Sequence, residues 1–195
     1  MNPKSAYAPR LTFKRITRRR PNALQEIAGV YARARASENA TEELERQRQN
    51  GLRRAKHWLA NPKHHVVVGL FAEKTLVGIV TIAHWKKSEY QGFAEDPAAI
   101  DAALEKNGAR PSKTLMLEGL CVPKNLTKQG YGTKLGTEVM NRVEQICAKL
   151  GSSVIFSQDA GNKSARFAPG RTPVFLLRQP LKGGLLQEYY LLKKD

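Results

Sequence analysis

The sequence predicts a mixed α/β domain. Three observations indicate this class: short apolar or alternating segments typical of strands, longer segments with apolar residues every three or four positions, and pairs of strands joined by short turns. The chain has 195 residues, 41% of them apolar. This length suffices for one domain with a real core and argues against two, so we expect a single domain over residues 1–195.

The first strand is followed by two helices in this prediction. Residues 11–18, LTFKRITR, alternate apolar and polar side chains as a half-buried strand does, and RRRPN ends the alternation. The helical pattern then runs from Pro21 to about Leu59. In the first helix the apolar residues fall on one stripe, namely Leu24, Ile27, Val30 and Tyr31. The second helix is more polar, and we expect an interruption near Asn50 and Gly51.

A hairpin and an inserted segment come next. The segments HHVVVGLFAE and TLVGIVTIAHW predict two antiparallel strands joined by a turn that contains Lys74. Residues 88–111 then interrupt the strand pattern. We expect a short helix inside this insertion, because Asp96 is a suitable N-cap, Pro97 suits the first helical position and Gly108 follows the end.

The C-terminal part predicts a strand, a long helix and three more strands. KTLMLEGLCV has the apolar content of a buried strand, and GTKLGTEVMNRVEQICAKLG has helical periodicity that stops at Gly151. SSVIFSQDA predicts a strand and GNKSARF a short helix or turn. TPVFLLRQ and LLQEYYLLKK predict a closing hairpin across Lys182, Gly183 and Gly184. The expected order is β, α, α, β, β, an inserted α, β, α, β, α, β, β.

The formal net charge is +16, and it concerns partners rather than the fold. The densest basic run is RLTFKRITRRR, near the N-terminus. Such a surface attracts nucleic acid, an acidic protein or a polyanionic ligand, and the alternative is a solvated basic surface of no specific use. No signature of an RNA- or DNA-binding module accompanies it.

The chain offers no apolar run long enough to span a bilayer and begins with MNPKSAYAPR, which lacks an apolar signal segment. We therefore expect a cytoplasmic protein without a membrane partner. Cys121 and Cys147 lie in apolar-patterned segments, so buried free thiols are favoured over metal ligands or a disulfide.

A glycine loop joins the fourth strand to the long helix in LEGLCVPKNLTKQGYGTKL. Gly130 and Gly132 allow the backbone to approach a ligand closely, and the N-terminus of the following helix attracts an anion such as a phosphate or pyrophosphate. Glycines that serve only a tight turn are the alternative. The third glycine of the dinucleotide fingerprint is missing, and Lys134 follows Thr133 instead of preceding it as in a nucleotide P-loop.

The motifs around this loop resemble those of the GNAT superfamily of N-acyltransferases. That signature is a strand ending in V-x-P, then Q/R-x-x-G-x-G/A, a long helix, a strand and N-x-x-A. The matching segments are LEGLCVP, TKQGYG, TKLGTEVMNRVEQICAKLG, SSVIFSQDA and NKSA, within roughly residues 112–165, and the order of elements agrees elsewhere. The resemblance implies a GNAT-type mixed, mostly antiparallel sheet flanked by helices, with acetyl-CoA (coenzyme A) as the cofactor.

The resemblance also implies which residues hold the cofactor. Backbone N–H groups of the loop would hold its pyrophosphate, and the loop residues are Lys128, Gln129, Gly130, Tyr131, Gly132 and Thr133. The fourth strand would splay from the strand beginning at Ser152, and its exposed edge would hydrogen-bond the pantetheine arm. The strand residues are Leu120, Cys121 and Val122. Asn162 matches the position that contacts the cofactor arm, although a helix N-cap role is equally consistent.

Two positions depart from the family pattern. Thr127 stands where the family usually has Arg or Gln, which removes one side-chain contributor to the loop. Pro169 stands where a tyrosine is frequent, so the usual proton donor to the leaving thiolate is not identified. Ser157 is a candidate replacement for that donor.

Glu118 is the candidate catalytic base. An amine nucleophile is almost wholly protonated at pH 7, and only its neutral form attacks a thioester. Glu118 lies in mid-strand among apolar residues, where burial favours uptake of a proton directly or through a water. Members of the GNAT family often have an acid at or near this position. The alternative is a structural pairing of Glu118 with an arginine.

Backbone and histidine groups complete the expected site. The resemblance places the donor to the developing oxyanion near Leu120 to Val122 on the same strand. His84 ends a strand and either lines the acceptor site or faces solvent. His64 and His65 are adjacent and should point to opposite sheet faces, so we expect no shared metal site.

The sequence thus favours an N-acetyltransferase that moves an acetyl group from acetyl-CoA to a primary amine of a small-molecule or protein acceptor, by direct attack with Glu118 as base. The insertion at 88–111 is expected beside the acceptor cleft. The alternative is a non-catalytic protein of the same fold whose basic surface binds an acidic protein or nucleic acid. A plain nucleic-acid-binding module would depend on Arg18, Arg19 and Arg20 instead.

Overall fold

The computed structural model describes residues 11–36, 40–123, 140, 141, 143, 145, 149, 153–159 and 173–192. The helices are α1 (Ala23–Arg35), α2 (Thr41–Ala60), α3 (Glu89–Phe93) and α4 (Pro97–Lys106). The strands are β1 (Leu11–Ile16), β2 (His65–Ala72), β3 (Thr75–His84), β4 (Thr114–Cys121), β5 (Ser153–Asp159), β6 (Val174–Pro180) and β7 (Leu186–Leu192). The five separately described residues from 140 to 149 are helical, where the sequence predicts the long helix.

The described strands form one seven-stranded sheet in the order β1-β2-β3-β4-β5-β7-β6. All its neighbouring pairs are antiparallel except β4 and β5, which run parallel. The mixed α/β class with a mostly antiparallel sheet is therefore confirmed, as is the order of the described elements.

Helices α1 and α2 cover one face of the sheet. Their apolar residues pack on β1 to β4 in a cluster that includes Ile27, Trp58 and Phe71. The opposite face is covered at Met140 and Val143, which pack in a second cluster with residues of β2 to β5. Apolar side chains therefore bury the middle of the sheet from both sides.

The inserted segment is part of the core. Its helix α4 begins as predicted, with Asp96 accepting a hydrogen bond from the Ala99 N–H and Pro97 in the first turn. Ile100 and Leu104 of α4 are fully buried with Trp85, Met116 and residues of β5 and β7 in a third cluster. The segment also contains α3, which the sequence analysis did not predict.

Helix α2 is continuous, so the interruption predicted near Asn50 and Gly51 is wrong. Gly51 is buried against α1, where an added Cβ would lie 2.9 Å from the Cα of Ala28 and 3.0 Å from the Cβ of Tyr31. The glycine thus allows close approach of two helices and does not end one. The favourable contacts of that approach outweigh its low helix propensity.

Both predicted hairpins are present. The β2–β3 turn passes through Glu73, which has a φ of 55°, and Lys74. The β6–β7 connection contains Gly183 and Gly184 with φ values of 121° and 88°, which glycine adopts without strain. Within the described part of the chain, no helix has the length and apolar character needed to cross a membrane.

Candidate active site

Strand β4 contains a bulge at Glu118. Thr81 of β3 pairs with Gly119 and the next residue, Ile82, pairs with Leu117, so Glu118 has no cross-strand partner on β3. Cys121, two residues after Gly119, lies in the cluster beneath α1 and α2. By alternation the bulge therefore directs Glu118 and Gly119 to the same face, the one covered by α1 and α2. An extra residue of this kind is a common device for aiming a side chain at an active site.

The sheet forks beside the bulge. The parallel ladder between β4 and β5 pairs Thr114 with Ser153 and ends at Leu117 with Phe156. Beyond this point β5 continues beside β7, while the remainder of β4 keeps β3 on one side and has no described strand on the other. The resemblance described in the sequence analysis implied a separation of these two strands. It leaves one backbone edge of β4 available to an extended ligand next to Glu118.

The Glu118 carboxylate is buried, and its side chain has 0% relative exposure. Its Oε1 accepts a 2.8 Å hydrogen bond from the backbone N–H of Glu89, the first residue of α3. Its Oε2 lies 3.6 Å from Nε2 of His65, which is too long for a good hydrogen bond. The predicted alternative, a structural pairing with an arginine, does not occur among the described residues.

A second histidine links this pair to the surface. The rings of His57, on α2, and His65 meet edge to face with centroids 4.8 Å apart. The His57 side chain is 46% exposed, whereas that of His65 is 2% exposed. His57 Nε2 is 4.0 Å from Glu89 Oε1, and Arg54 Nη1 donates a 2.7 Å hydrogen bond to Glu89 Oε2. Arg54 therefore forms its ion pair with Glu89 and not with Glu118.

Unpaired polar atoms concentrate around the bulge. Eight buried side-chain nitrogen and oxygen atoms in the described residues have no hydrogen-bond partner, and four of them belong to His65, Thr81 and Glu118. Buried polar atoms normally find partners, because leaving one unpaired costs about 1–3 kcal/mol. Such a cluster marks a place where stability has been given up for another purpose.

A group of tyrosines and arginines adjoins the end of β4. The guanidinium carbons of Arg35 and Arg54 lie 5.4 and 5.8 Å from the centre of the Tyr31 ring. Burial raises the pKa of the Cys121 thiol, and the hydrogen-bonded Arg35 guanidinium offsets part of that rise. Burial likewise raises the pKa of Tyr90, which the two arginines partly offset. The thiol and phenol are therefore neutral near pH 7.

The remaining predicted site residues fall into two groups. Among those described, Leu120 is exposed, Val122 is partly buried against the second cluster, and Cys121 is a buried free thiol. Ser157 lies on β5 one residue beyond the last pair with β4, and it faces the same side as Ile155. The predictions for Cys147, Thr127, the Lys128–Thr133 loop, Asn162 and Pro169 lie outside the described residues.

The other histidines do not join the Glu118 group. His64 is exposed, and its ring centroid lies 6.5 Å from that of His84, the last residue of β3. His65 is buried on the opposite side, as alternation predicted. The described residues contain no group of three or more histidine, cysteine, aspartate or glutamate side chains suited to a metal ion.

Sequence reasoning did not find the surroundings of Glu118. His57, Arg54 and Glu89 are distant from it in sequence and reach it through the packing of α2 and α3. Alternation along β2 gives one usable signal for His65, because His65 shares the orientation of the buried Val67. Arg54 and His57 give a second signal, because residues three apart lie on the same face of a helix.

The seven-stranded, mostly antiparallel sheet that forks between β4 and β5 is an architecture shared with a known family of proteins. The chain belongs to the acetyltransferase (GNAT) family, whose model matches residues 31–168. Members of this family are generally N-acetyltransferases, and the GNAT fold binds acetyl-CoA. No curated protein matches the sequence significantly.

Solved structures share this fold at low sequence identity. A probable acetyltransferase from Staphylococcus epidermidis matches with a TM-score of 0.62 and 14% identity over 95% of this chain and 100% of that one. An N-acetyltransferase from Staphylococcus aureus matches with a TM-score of 0.60 and 11% identity over 94% and 97%. PaiA N-acetyltransferase from Thermoplasma acidophilum, solved with coenzyme A, matches with a TM-score of 0.55 and 13% identity over 92% and 98%.

Proposed function

We propose that this protein transfers the acetyl group of acetyl-CoA to a primary amine, with Glu118 as the general base. The observation that carries the proposal is the position of Glu118: a buried carboxylate in a β4 bulge, immediately beside the fork between β4 and β5. A carboxylate in this position can remove a proton from an amine held at the fork, directly or through a water.

The open edge of β4 fits the extended arm of coenzyme A. Leu120, Cys121 and Val122 offer backbone groups there, and we assign the pyrophosphate to the loop from Lys128 to Thr133 and the arm also to Asn162. When bound, acetyl-CoA supplies the acetyl thioester that the amine attacks. The chain's own contribution is to hold Glu118 in place through the Glu89 N–H and to shield it from water beneath α3.

Direct attack by the amine fits the site better than an acyl-cysteine route. Cys121 is the described cysteine nearest the fork, and its side chain is buried in the cluster beneath α1 and α2. Burial raises the pKa of this thiol, so the nucleophilic thiolate is scarce at neutral pH. Glu118 therefore acts on the acceptor itself and not on a protein nucleophile.

The inserted segment supports the base and borders the acceptor side of the fork. Helix α3 supplies the Glu89 N–H to Glu118, and the Glu89 carboxylate holds Arg54 of α2. The acceptor amine belongs to a small molecule or a protein, and the residues of α1 and α3 beside Cys121 would contact it.

The test is consumption of the thioester by the purified protein with a panel of primary amines: an alkylamine, a free amino acid, a lysine peptide and a peptide with a free N-terminus. Glu118→Gln should lower kcat/KM roughly 10²- to 10⁴-fold, because general acid–base catalysis contributes that much. Glu105→Gln makes the same change at an exposed position of α4 and should leave the rate unchanged.

Calorimetry with coenzyme A separates binding from chemistry. Both variants should bind coenzyme A as tightly as the parent. Parent protein that binds no coenzyme A, or a Glu118→Gln variant with parental turnover, would overturn the proposal.

A second candidate function is the binding of a polyanionic partner, and one observation supports it. A cavity of about 430 Å³ lies at the start of α1, and its lining contains four basic residues and no acid: Arg18, Arg19, Arg20 and Lys56 with Pro21, Asn22, Ala23, Leu24, Gln25 and Leu59. Arg20 is held by a 2.7 Å ion pair with Glu26. The other three basic side chains are exposed and have no ion pair within the described ranges.

This candidate predicts binding that weakens as salt rises. A fluorescent oligouridine RNA and a polyglutamate peptide serve as probes for a nucleic acid and an acidic protein. Neutralising Arg18, Arg19 and Lys56 together should weaken binding of the true class of probe, while Gly130→Asp in the cofactor loop leaves it intact. Equal affinity of parent and triple variant for both probes excludes the candidate.

A further inference from the structure

We propose that His65 and His57 carry the proton that Glu118 removes from the acceptor out to solvent. This inference rests on the proposed function, in which Glu118 is the base. The observation behind it is a chain of three ionisable side chains that runs from the buried bulge in β4 to the exposed side of α2.

Proton balance requires such an exit. An acceptor amine enters as an ammonium ion, and attack on a thioester forms the N–C bond and breaks the C–S bond. The nitrogen loses two protons in all. One ends on the sulfur of the leaving thiol, and the other must leave the protein once in each turnover.

Glu118 cannot pass this proton directly to bulk water. Its side chain is fully buried, and Oε1 already accepts the Glu89 N–H. The free oxygen, Oε2, faces His65 Nε2 at 3.6 Å, and neither atom has another partner among the described residues. A closer approach of about 0.6 Å gives an ordinary hydrogen bond, through which a proton can move.

His65 leads onward to His57. Neither ring nitrogen of His65 has a hydrogen-bond partner in the described part of the chain, so the ring can accept a proton on one nitrogen and release one from the other. The His57 ring meets the His65 ring edge to face with the centroids 4.8 Å apart, and the His57 side chain is 46% exposed. The proton passes between the rings when one ring turns about its Cβ–Cγ bond and brings two nitrogens within hydrogen-bond distance. Histidine is suited to this step because its ordinary ionisation lies near neutral pH.

The charged groups that face the chain favour its outward direction. Glu89 of α3 lies 4.0 Å from His57 Nε2 and so attracts a protonated His57, and Arg54 of α2 balances the second Glu89 oxygen. Arg54 itself cannot relay a proton, because a guanidinium does not deprotonate in a protein. Glu118 of β4, at the inner end, is neutral while it holds the proton and regains its negative charge once the proton has moved on.

Buffer rescue tests the outer step. With the amine that the panel identifies as best, His57→Ala should lower kcat about tenfold in dilute buffer, and added imidazole should restore it in proportion to its concentration. His64→Ala is the matched control, because His64 is exposed and lies outside the chain. His57→Ala with parental kcat in dilute buffer, or a loss that imidazole does not restore in a folded variant, would overturn the relay.

Histidine NMR on the full chain gives a readout that needs no acceptor. Glu118→Gln should shift the ring signals of His65, because the side chain that faces its Nε2 has changed, and those of the adjoining His57 ring, whereas His64→Ala should leave both unchanged. Ring signals of His65 that do not respond to Glu118→Gln contradict the relay.

The two proposals fail differently. If Glu118→Gln keeps parental turnover, the base assignment is wrong whatever the histidines do. If Glu118→Gln is inactive while His57→Ala behaves as the parent, the base stands and the relay is wrong. His65→Gln should lower kcat and leave the KM for acetyl-CoA unchanged, whereas a purely structural defect changes the amount of folded protein.

Discussion

Two regions on the same face of the sheet are built in opposite ways. Where α1 and α2 cover β1 to β3, residues such as Ile27, Val30 and Leu76 form an apolar cluster with almost no exposure. Where α2 and α3 cover the bulge in β4, Glu118 and His65 are equally buried but have polar atoms that form no hydrogen bond with any described residue.

The difference separates what holds the protein together from what it does. The apolar region gains free energy from every buried methylene, about 0.8 kcal/mol each. In the polar region, buried groups with incomplete hydrogen bonding lower the stability of the folded protein. Substitutions in the first region should therefore change stability, and substitutions in the second should change the reaction.

The largest expected effect on stability lies in the apolar region. Ile27 has 0% exposure at the centre of the α1–α2 cluster. Ile27→Ala should lower the free energy of unfolding by about 2–5 kcal/mol, because it removes buried methylenes and leaves a cavity. Urea unfolding measures this change, and kcat per folded molecule should stay within twofold of the parent. A selective loss of kcat would show that the two regions are not separable.

The next effect tests whether an unpaired buried polar atom always costs stability. The Tyr189 hydroxyl is buried in the third cluster, and no described residue forms a hydrogen bond with it. Burial, with a contribution from Tyr90, raises the pKa of Tyr189 to about 12. An unfolded tyrosine loses its proton near pH 10, so the parent should lose stability between pH 10 and 12, at about 1.4 kcal/mol per pH unit.

Tyr189→Phe removes both effects. The variant should be about 1 kcal/mol more stable than the parent at pH 7, because the unpaired hydroxyl is gone. Its advantage should then grow by roughly 2–3 kcal/mol as the pH rises from 10 to 12. Urea unfolding of parent and variant at pH 7, 10 and 11 measures the difference, and a constant difference across this range contradicts the burial of a neutral phenol.

The smallest effect concerns the contact that aligns the two helices. Gly51→Ala gains up to about 1 kcal/mol of helix propensity but places a methyl group 2.9 Å from the Ala28 backbone. Overpacking of this kind costs about 1–3 kcal/mol, so a net loss of about 1 kcal/mol is expected. Thermal unfolding beside a Gly92→Ala control, where the new Cβ has open space, separates the two terms. A stabilised Gly51→Ala variant would mean that the helices can move apart freely.

Local sequence patterns predicted the order of elements and the place of Glu118, because both depend on periodicity and on motifs within one segment. The glycine at position 51 misled the prediction, since a close helix contact and a helix end favour the same residue. Helix α3 was missed because five residues carry little periodicity. Its one local signal is Ser88, which caps it by accepting from the Tyr90 N–H.

The environment of Glu118 could not be predicted for a different reason. The Glu89 N–H, Arg54 and His65 come from three other elements, and their meeting depends on how α2 and α3 pack on the sheet. The 3.6 Å gap between Glu118 and His65 is a tertiary distance that no sequence spacing encodes.

The fork in the sheet also has a mechanical consequence. Strands β1 to β4 form one part of the sheet and β5 to β7 the other. Four residue pairs, from Thr114–Ser153 to Leu117–Phe156, join the two parts at one end. Met116 and Ile155, which lie on these paired segments, are buried together in the third cluster and stabilise the junction from one face. A ligand that contacts both parts of the sheet within the fork would link them beyond the Leu117–Phe156 pair and restrict their relative motion.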